Sequence, residues 1–199
     1  MQPHRDPRRS LARCRAGVLL AAAALLAGTV RAAERSPMVV ERMPPVVLTD
    51  ETGRQVRLYD DLVKDHVVAM TFFFTTCSTI CQPMSATFSH AQSLIGSRPV
   101  RLVSVTIDPG TDTPQRLAEW KARFQGGPSW TLLTGQKEQI DRLRKALGVY
   151  TADKLSHAAT IVLVDDIHQR STRISGLSPA RTLIEAIDSL SSASPVSAR

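Results

Sequence analysis

Apolar residues along the chain fall into short groups separated by turn residues. The strongest group is Val67–Phe74 (VVAMTFFF), apolar throughout except for Thr71. Its length and its β-branched and aromatic content predict a strand buried on both faces. Residues 81–95 place Met84, Phe88, Ala91 and Ile95 on one helical face, with His90 opposite. Leu102–Ile107 alternates, with Val103, Val105 and Ile107 on one side, and predicts the next strand. Thr113-Pro114 is an N-cap followed by proline at the first helical position, and Leu117, Trp120 and Phe124 form that helix's apolar stripe. A short strand at Trp130–Leu133 precedes a helix carrying Ile140, Leu143 and Leu147, which stops at Gly148. Thr160–Val164 and Gln169–Ile174 predict a hairpin. Ser178-Pro179 then caps a last helix with Leu183, Ile184, Ile187 and Leu190. Upstream, Val46–Leu48 and Gln55–Leu58 flank a Thr-Asp-Glu-Thr-Gly turn and predict a small hairpin.

The resulting order, β-α-β-α-β-α-β-β-α after the first hairpin, is that of an α/β protein with a mixed sheet. A thioredoxin-like sheet with flanking helices, one inserted strand–helix segment and an N-terminal β-hairpin has this order. The expected organisation is an export segment at 1–32, a proline-bearing linker at 33–45, one domain at 46–190 and a disordered polar tail at 191–199.

Net charge changes meaning once it is located. The chain of 199 residues carries +7, which alone suggests a nucleic-acid or anionic partner. Six arginines against one aspartate in residues 1–32 account for +5 of this, leaving +2 for the rest and no basic patch to explain. Aromatic residues are 5%, which disfavours base-stacking platforms, and nucleic acid is not an expected partner. Five of these arginines stand before the apolar run Ala16–Val30, Arg31 closes it, and Val30-Arg31-Ala32 offers small residues at cleavage offsets. This pattern is a secretory signal or, if retained, a membrane anchor at 16–30. In either case the rest of the chain faces outward, because positive charge stays on the cytoplasmic side. Arg8-Arg9 matches a twin-arginine signal only weakly. Cys14 precedes the apolar run, where a lipoprotein cysteine would follow it.

Two cysteines remain, in Thr75-Thr76-Cys77-Ser78-Thr79-Ile80-Cys81-Gln82-Pro83, just past the most buried strand. The carboxyl end of a central strand is where open α/β sheets place ligands. If the segment is helical, spacing of four puts both sulfurs on one side with Cα atoms roughly 6 Å apart, within disulfide range. The same geometry suits a structural disulfide, a pair of buried thiols, a reactive dithiol or a joint grip on a metal. His157, just before Thr160–Val164, is the candidate third ligand, since that strand should run antiparallel to the cysteine strand. A lone histidine is as readily a capping or surface residue. His66, His90 and His168 occupy a strand start, a solvent face and a hairpin turn. Two thiolates and one imidazole suit a soft metal, copper(I) above all, whereas a closed structural zinc site takes four ligands. Met84 is a formal axial ligand, but its place on the apolar face assigns it to the core.

The stretches TFFFTTCSTICQPMS, LVSVTIDPGTDTPQRLAEW and LSHAATIVLVDD resemble the SCO/SenC family over roughly residues 40–190. The resemblance implies an exported or membrane-anchored, thioredoxin-like copper-binding protein that assists assembly of the binuclear copper centre of cytochrome c oxidase. It implies Cys77, Cys81 and His157 as ligands for copper as Cu(I) or Cu(II), and an acidic role near the site for Asp108. Gln82 intervenes where family motifs commonly have proline directly after the second cysteine. The expected function is a periplasmic copper metallochaperone serving the copper-bearing subunit of the oxidase or another exported copper enzyme. The alternative is a thiol–disulfide oxidoreductase that uses Cys77 and Cys81 to reduce an apo copper site, itself recharged by a thiol reductase. Against a general reductase, thioredoxins have two residues between their cysteines, not three, and proline rather than histidine in the facing loop. A peroxide-reducing thiol enzyme has only the element order in its favour.

Overall fold

A computed structural model of the chain describes residues 43–154 and 158–192. The proposed export segment, the linker up to residue 42, His157 and the tail from 193 lie outside the described residues. Eleven regular elements follow in order: β1 (Val47–Asp50), β2 (Gln55–Arg57), β3 (Val67–Phe73), α1 (Cys81–Ile95), β4 (Val100–Thr106), α2 (Pro114–Arg123), β5 (Trp130–Thr134), α3 (Lys137–Ala146), β6 (Thr160–Asp165), β7 (Arg170–Ser175) and α4 (Ala180–Ser192). They match the element order expected from the apolar pattern, except that α4 continues to Ser192, past the expected start of the tail.

One sheet holds all seven strands in the order β2-β1-β5-β4-β3-β6-β7. β3, β4 and β5 are parallel, joined by crossovers through α1 and α2, while β1, β6 and β7 pair antiparallel with their neighbours. This is a mixed, thioredoxin-like open sheet with flanking helices. All seven residues of β3 are buried, as the run VVAMTFFF requires. β3 pairs with β4 on one side, from Val67↔Val100 to Phe73↔Thr106, and with β6 on the other, from Val67↔Asp165 to Thr71↔Ile161.

The strand expected from the alternation in Leu102–Ile107 is β4, and it is buried on both faces. Its polar residues find partners inside: Ser104 Oγ lies 3.0 Å from Thr71 Oγ1 and accepts a bond from Trp130 Nε1 at 2.9 Å. Satisfied hydroxyls of this kind are cheap to bury. A second feature escaped the pattern. Residues Leu58–Val63 form one wide helical turn, in which the Lys64 N–H reaches back to the Tyr59 carbonyl at 2.9 Å.

The helices cover the sheet through the expected stripes. Leu117 and Trp120 of α2 and Ile140, Leu143 and Leu147 in and after α3 are buried. Thr113 caps α2 by accepting from the Arg116 N–H at 3.4 Å, with Pro114 next. Trp120 stacks obliquely on Phe73, centroids 5.7 Å apart, and its Nε1 donates to Ser85 of α1 at 2.9 Å. α1 and α4 pack side by side. Among the described residues no helix is long and apolar enough to cross a membrane.

Candidate metal centre

β3 ends at Phe73, and the chain turns through Thr75 and Thr76 into an irregular loop before α1 begins at Cys81. The turn is closed by the Cys77 N–H on the Phe74 carbonyl at 3.1 Å. Cys77 therefore lies in the loop, not in the helix. The four-residue helical spacing expected to align the sulfurs does not operate, and the loop brings them together instead. Pro83 is the third residue of α1, where its missing N–H removes no intrahelical bond. Gln82, the residue that departs from the family pattern, is exposed.

Both cysteines are free thiols and both are buried, Cys77 at 6% exposure and Cys81 at 0%. Their side chains are hydrogen-bonded to each other. The environment nevertheless separates their chemistry. Burial opposes ionisation of Cys77, but bonds from the Cys81 thiol, the Thr79 and Cys81 main chain and the Thr79 hydroxyl outweigh it. They hold the Cys77 thiol below its usual range. The Thr79 hydroxyl stands 3.6 Å from the Cys77 sulfur. Burial, then the bond to Cys77, push the Cys81 thiol up to about 12, with smaller contributions from the charges of Cys77 and Asp112.

Asp112 had no role in the reading of the sequence, yet it braces this loop from below. It is fully buried. Its Oδ2 accepts from the Thr75 N–H at 3.0 Å and from Thr106 Oγ1 at 2.5 Å, and its Oδ1 accepts from Thr75 Oγ1 at 2.5 Å. The β4–α2 loop is thereby tied to the turn two residues ahead of Cys77. In the sequence Asp112 is the second aspartate of Asp-Pro-Gly-Thr-Asp-Thr-Pro, within a stretch that carries the family resemblance, but the sequence assigned it no role of its own. Asp108, expected near the site, pairs with Lys154 at 2.8 Å. The Lys154 ammonium also sits 5.3 Å from the centre of the Phe74 ring.

Lys154 and Ala158 flank residues 155–157, so His157 lies outside the described residues. The described chain on either side is anchored near the cysteines. Lys154 meets Asp108 and Phe74. Ala159 accepts a bond from the Gly176 N–H at 2.8 Å. A Cβ on Gly176 would stand 2.9 Å from the Ala159 carbonyl carbon and 3.1 Å from Met84 Sδ, so α1, β6 and the end of β7 converge there. β6 is antiparallel to β3, as the sequence suggested. Among the described residues no group of three His, Cys, Asp or Glu side chains gathers to hold a metal. Met84 is a core residue, 2% exposed. Of the other histidines, His90 is exposed, His66 Nδ1 bonds the Lys64 carbonyl at 2.6 Å, and His168 Nδ1 bonds Asp165 at 2.8 Å.

Comparison with known proteins gives a consistent result. The family model described as SCO1/SenC matches residues 40–192. A SCO1 protein homolog of Bacillus subtilis is 31% identical over 97 residues, covering 47% of this chain and 49% of that protein. The chain spans about half the length of the curated relatives it matches. Among solved structures, a SCO1/SenC family lipoprotein from Bacillus anthracis superposes with TM-score 0.66 at 27% identity, covering 75% of this chain and 94% of that one. Yeast Sco1 with copper bound shares the fold, with TM-score 0.63 at 22% identity over 77% of this chain and 90% of that one.

Proposed function

This chain belongs to the SCO1/SenC family, and from that premise we propose that it is an exported copper metallochaperone. The supporting observation is the pair of buried, mutually hydrogen-bonded thiols at the carboxyl end of β3. Two soft sulfur donors in one contact suit copper(I) as cargo. Cys77 and Cys81 hold it as thiolates and His157 completes the set. Three ligands leave an open side, through which a partner's ligands take the ion by exchange. The partner is the copper-bearing subunit of cytochrome c oxidase or another exported copper enzyme. Residues 1–32 serve as a signal or as an anchor to the inner membrane, and the domain works in the periplasm.

A second reading rests on the asymmetry of the two thiols. The Cys77 thiolate attacks a partner disulfide and forms a mixed disulfide, and the partner's displaced thiolate takes up a proton. Cys81, losing its proton, then closes the Cys77–Cys81 disulfide and releases the second partner thiol. Two electrons pass to the partner, and an exported thiol reductase restores the pair.

Copper titration of the reduced full chain separates the two readings. The chaperone predicts one copper per chain, weakened in His157→Ala and lost in Cys77→Ser or Cys81→Ser. Full-affinity binding by His157→Ala, together with persisting disulfide reduction, would leave the oxidoreductase standing. Oxidation of Cys77 to Cys81 should block uptake, and unchanged uptake would show that the ion is held elsewhere.

A further inference from the structure

The amino ends of β3, β4 and β5 lie at the opposite end of the parallel strands from Cys77. A cleft of about 440 Å³ opens there, lined by Arg54, His66, Arg98, Arg101, Ser129 and Thr131 with flanking prolines and apolar residues. Among the described residues no carboxylate side chain is in its lining. The domain's small net charge concealed this concentration, because Arg54 is distant in sequence from Arg98 and Arg101 and only the fold brings it to them.

Arg101, the second residue of β4, is the least compensated cation of the three. One arm of its guanidinium donates to the main-chain oxygen of Asp61. The Asp61 carboxylate itself is turned to Arg57, accepting from its N–H at 2.8 Å and its guanidinium at 2.9 Å. Arg54 gives only its Nε to Asp50, at 3.0 Å. Arg98 is committed to Asp188 by two bonds, at 3.1 and 3.3 Å. Asp50 and Asp188 both stand outside the cleft lining.

We infer that this cleft binds an oxyanion of the phosphate class, with Arg101 as its principal contact. A guanidinium fork matches phosphate oxygens in pairs. Ser129 and Thr131 add hydroxyl donors, and no carboxylate among the described lining residues repels the ligand. The volume is that of a small-molecule site rather than of a groove for extended peptide. The ligand is either a soluble phosphate or the headgroup of a phospholipid. The inference is independent of the copper site, and neither stands or falls with the other.

The test uses the full chain in two arms. In the first, inorganic phosphate and glycerol phosphate are titrated calorimetrically. Saturable binding of one anion per chain is expected, weakened about tenfold or more in Arg101→Ala. Ser129→Asp, which brings a carboxylate into the cleft, should abolish it. In the second arm, vesicles of phosphatidylglycerol or of phosphatidylcholine are sedimented with each variant. Greater binding of wild type than of Arg101→Ala to phosphatidylglycerol alone identifies the headgroup as the source. Saturable phosphate binding without that difference identifies a soluble phosphate. The inference is overturned if neither arm shows binding that depends on Arg101 and Ser129 in variants with native circular dichroism. It is also overturned if an oligoglutamate peptide binds in the Arg101-dependent manner and phosphate does not.

Discussion

The thiol of Cys77 and the thiol of Cys81 share a hydrogen bond and are driven in opposite directions by it. The same bond that lowers the proton affinity of the first raises that of the second. The pair thus has one thiol disposed to ionise more easily than usual and one that keeps its proton.

Alkylation should read this difference directly. With iodoacetamide, Cys77 is expected to react with a midpoint below that of an ordinary thiol, while Cys81 stays unmodified below about pH 11, given its value near 12. Peptide mass spectrometry across a pH series measures both. Equal midpoints, or Cys81 reacting first, would contradict the asymmetry.

Copper uptake should be proton-linked with a defined slope. Through the neutral range Cys81 still holds its proton, so its coordination as a thiolate releases one. Affinity should therefore rise about tenfold per pH unit above the Cys77 midpoint. Below that midpoint Cys77 also holds a proton and the dependence steepens. Competition titrations with a copper(I) chelator at several pH values test this. A flat profile between pH 7 and 9 would mean that Cys81 is not a thiolate ligand.

Asp112→Ala should destabilise the domain by about 2–4 kcal/mol, because the Thr75 N–H, the part-buried Thr75 hydroxyl and the buried Thr106 hydroxyl lose a charged acceptor. Asp112→Asn retains part of the bonding and removes the charge, so the Cys81 thiol should titrate lower than in the wild type. Urea unfolding and the alkylation series check the two halves. Wild-type stability in the alanine variant would show that the tie to Thr75 is dispensable.

Gly176→Ala tests the junction of α1, β6 and β7. The added methyl meets the Ala159 backbone at 2.9 Å, and a main-chain carbonyl carbon directly before β6 has little freedom to retreat. A loss of about 1–3 kcal/mol is expected for overpacking of this kind. Since Ala159 is two residues from His157, copper affinity should fall in the folded variant as well. Unchanged affinity at reduced stability would separate the junction from the metal site.

Legibility of the fold tracked the range of the interactions. Val67–Phe73 and the stripes of α1, α2 and α3 announced themselves through local periodicity, and so did the Thr113–Pro114 start. The partners of Ser104 in β4 were not legible, because Trp130 and Thr71 reach it only through the fold. The wide turn at Leu58–Val63 has neither a cap nor a period to reveal it. At the site, the two cysteines were conspicuous, but the helical condition set for their spacing is not met, because the helix begins only at the second. Asp112 stayed hidden because its partner Thr75 is 37 residues away.

The two-sided pairing of β3 gives the cysteine loop an unusual mechanical setting. Within four residues the chain passes from a strand hydrogen-bonded on both edges to a turn held mainly by one carboxylate. Local opening free energies should fall steeply over that interval, so the loop can exchange ligands on its own while the sheet beneath it stays closed. Amide hydrogen exchange would then show a step between Phe73 and Cys77. If the chain hands over copper as proposed, this arrangement lets it do so repeatedly without loosening its core.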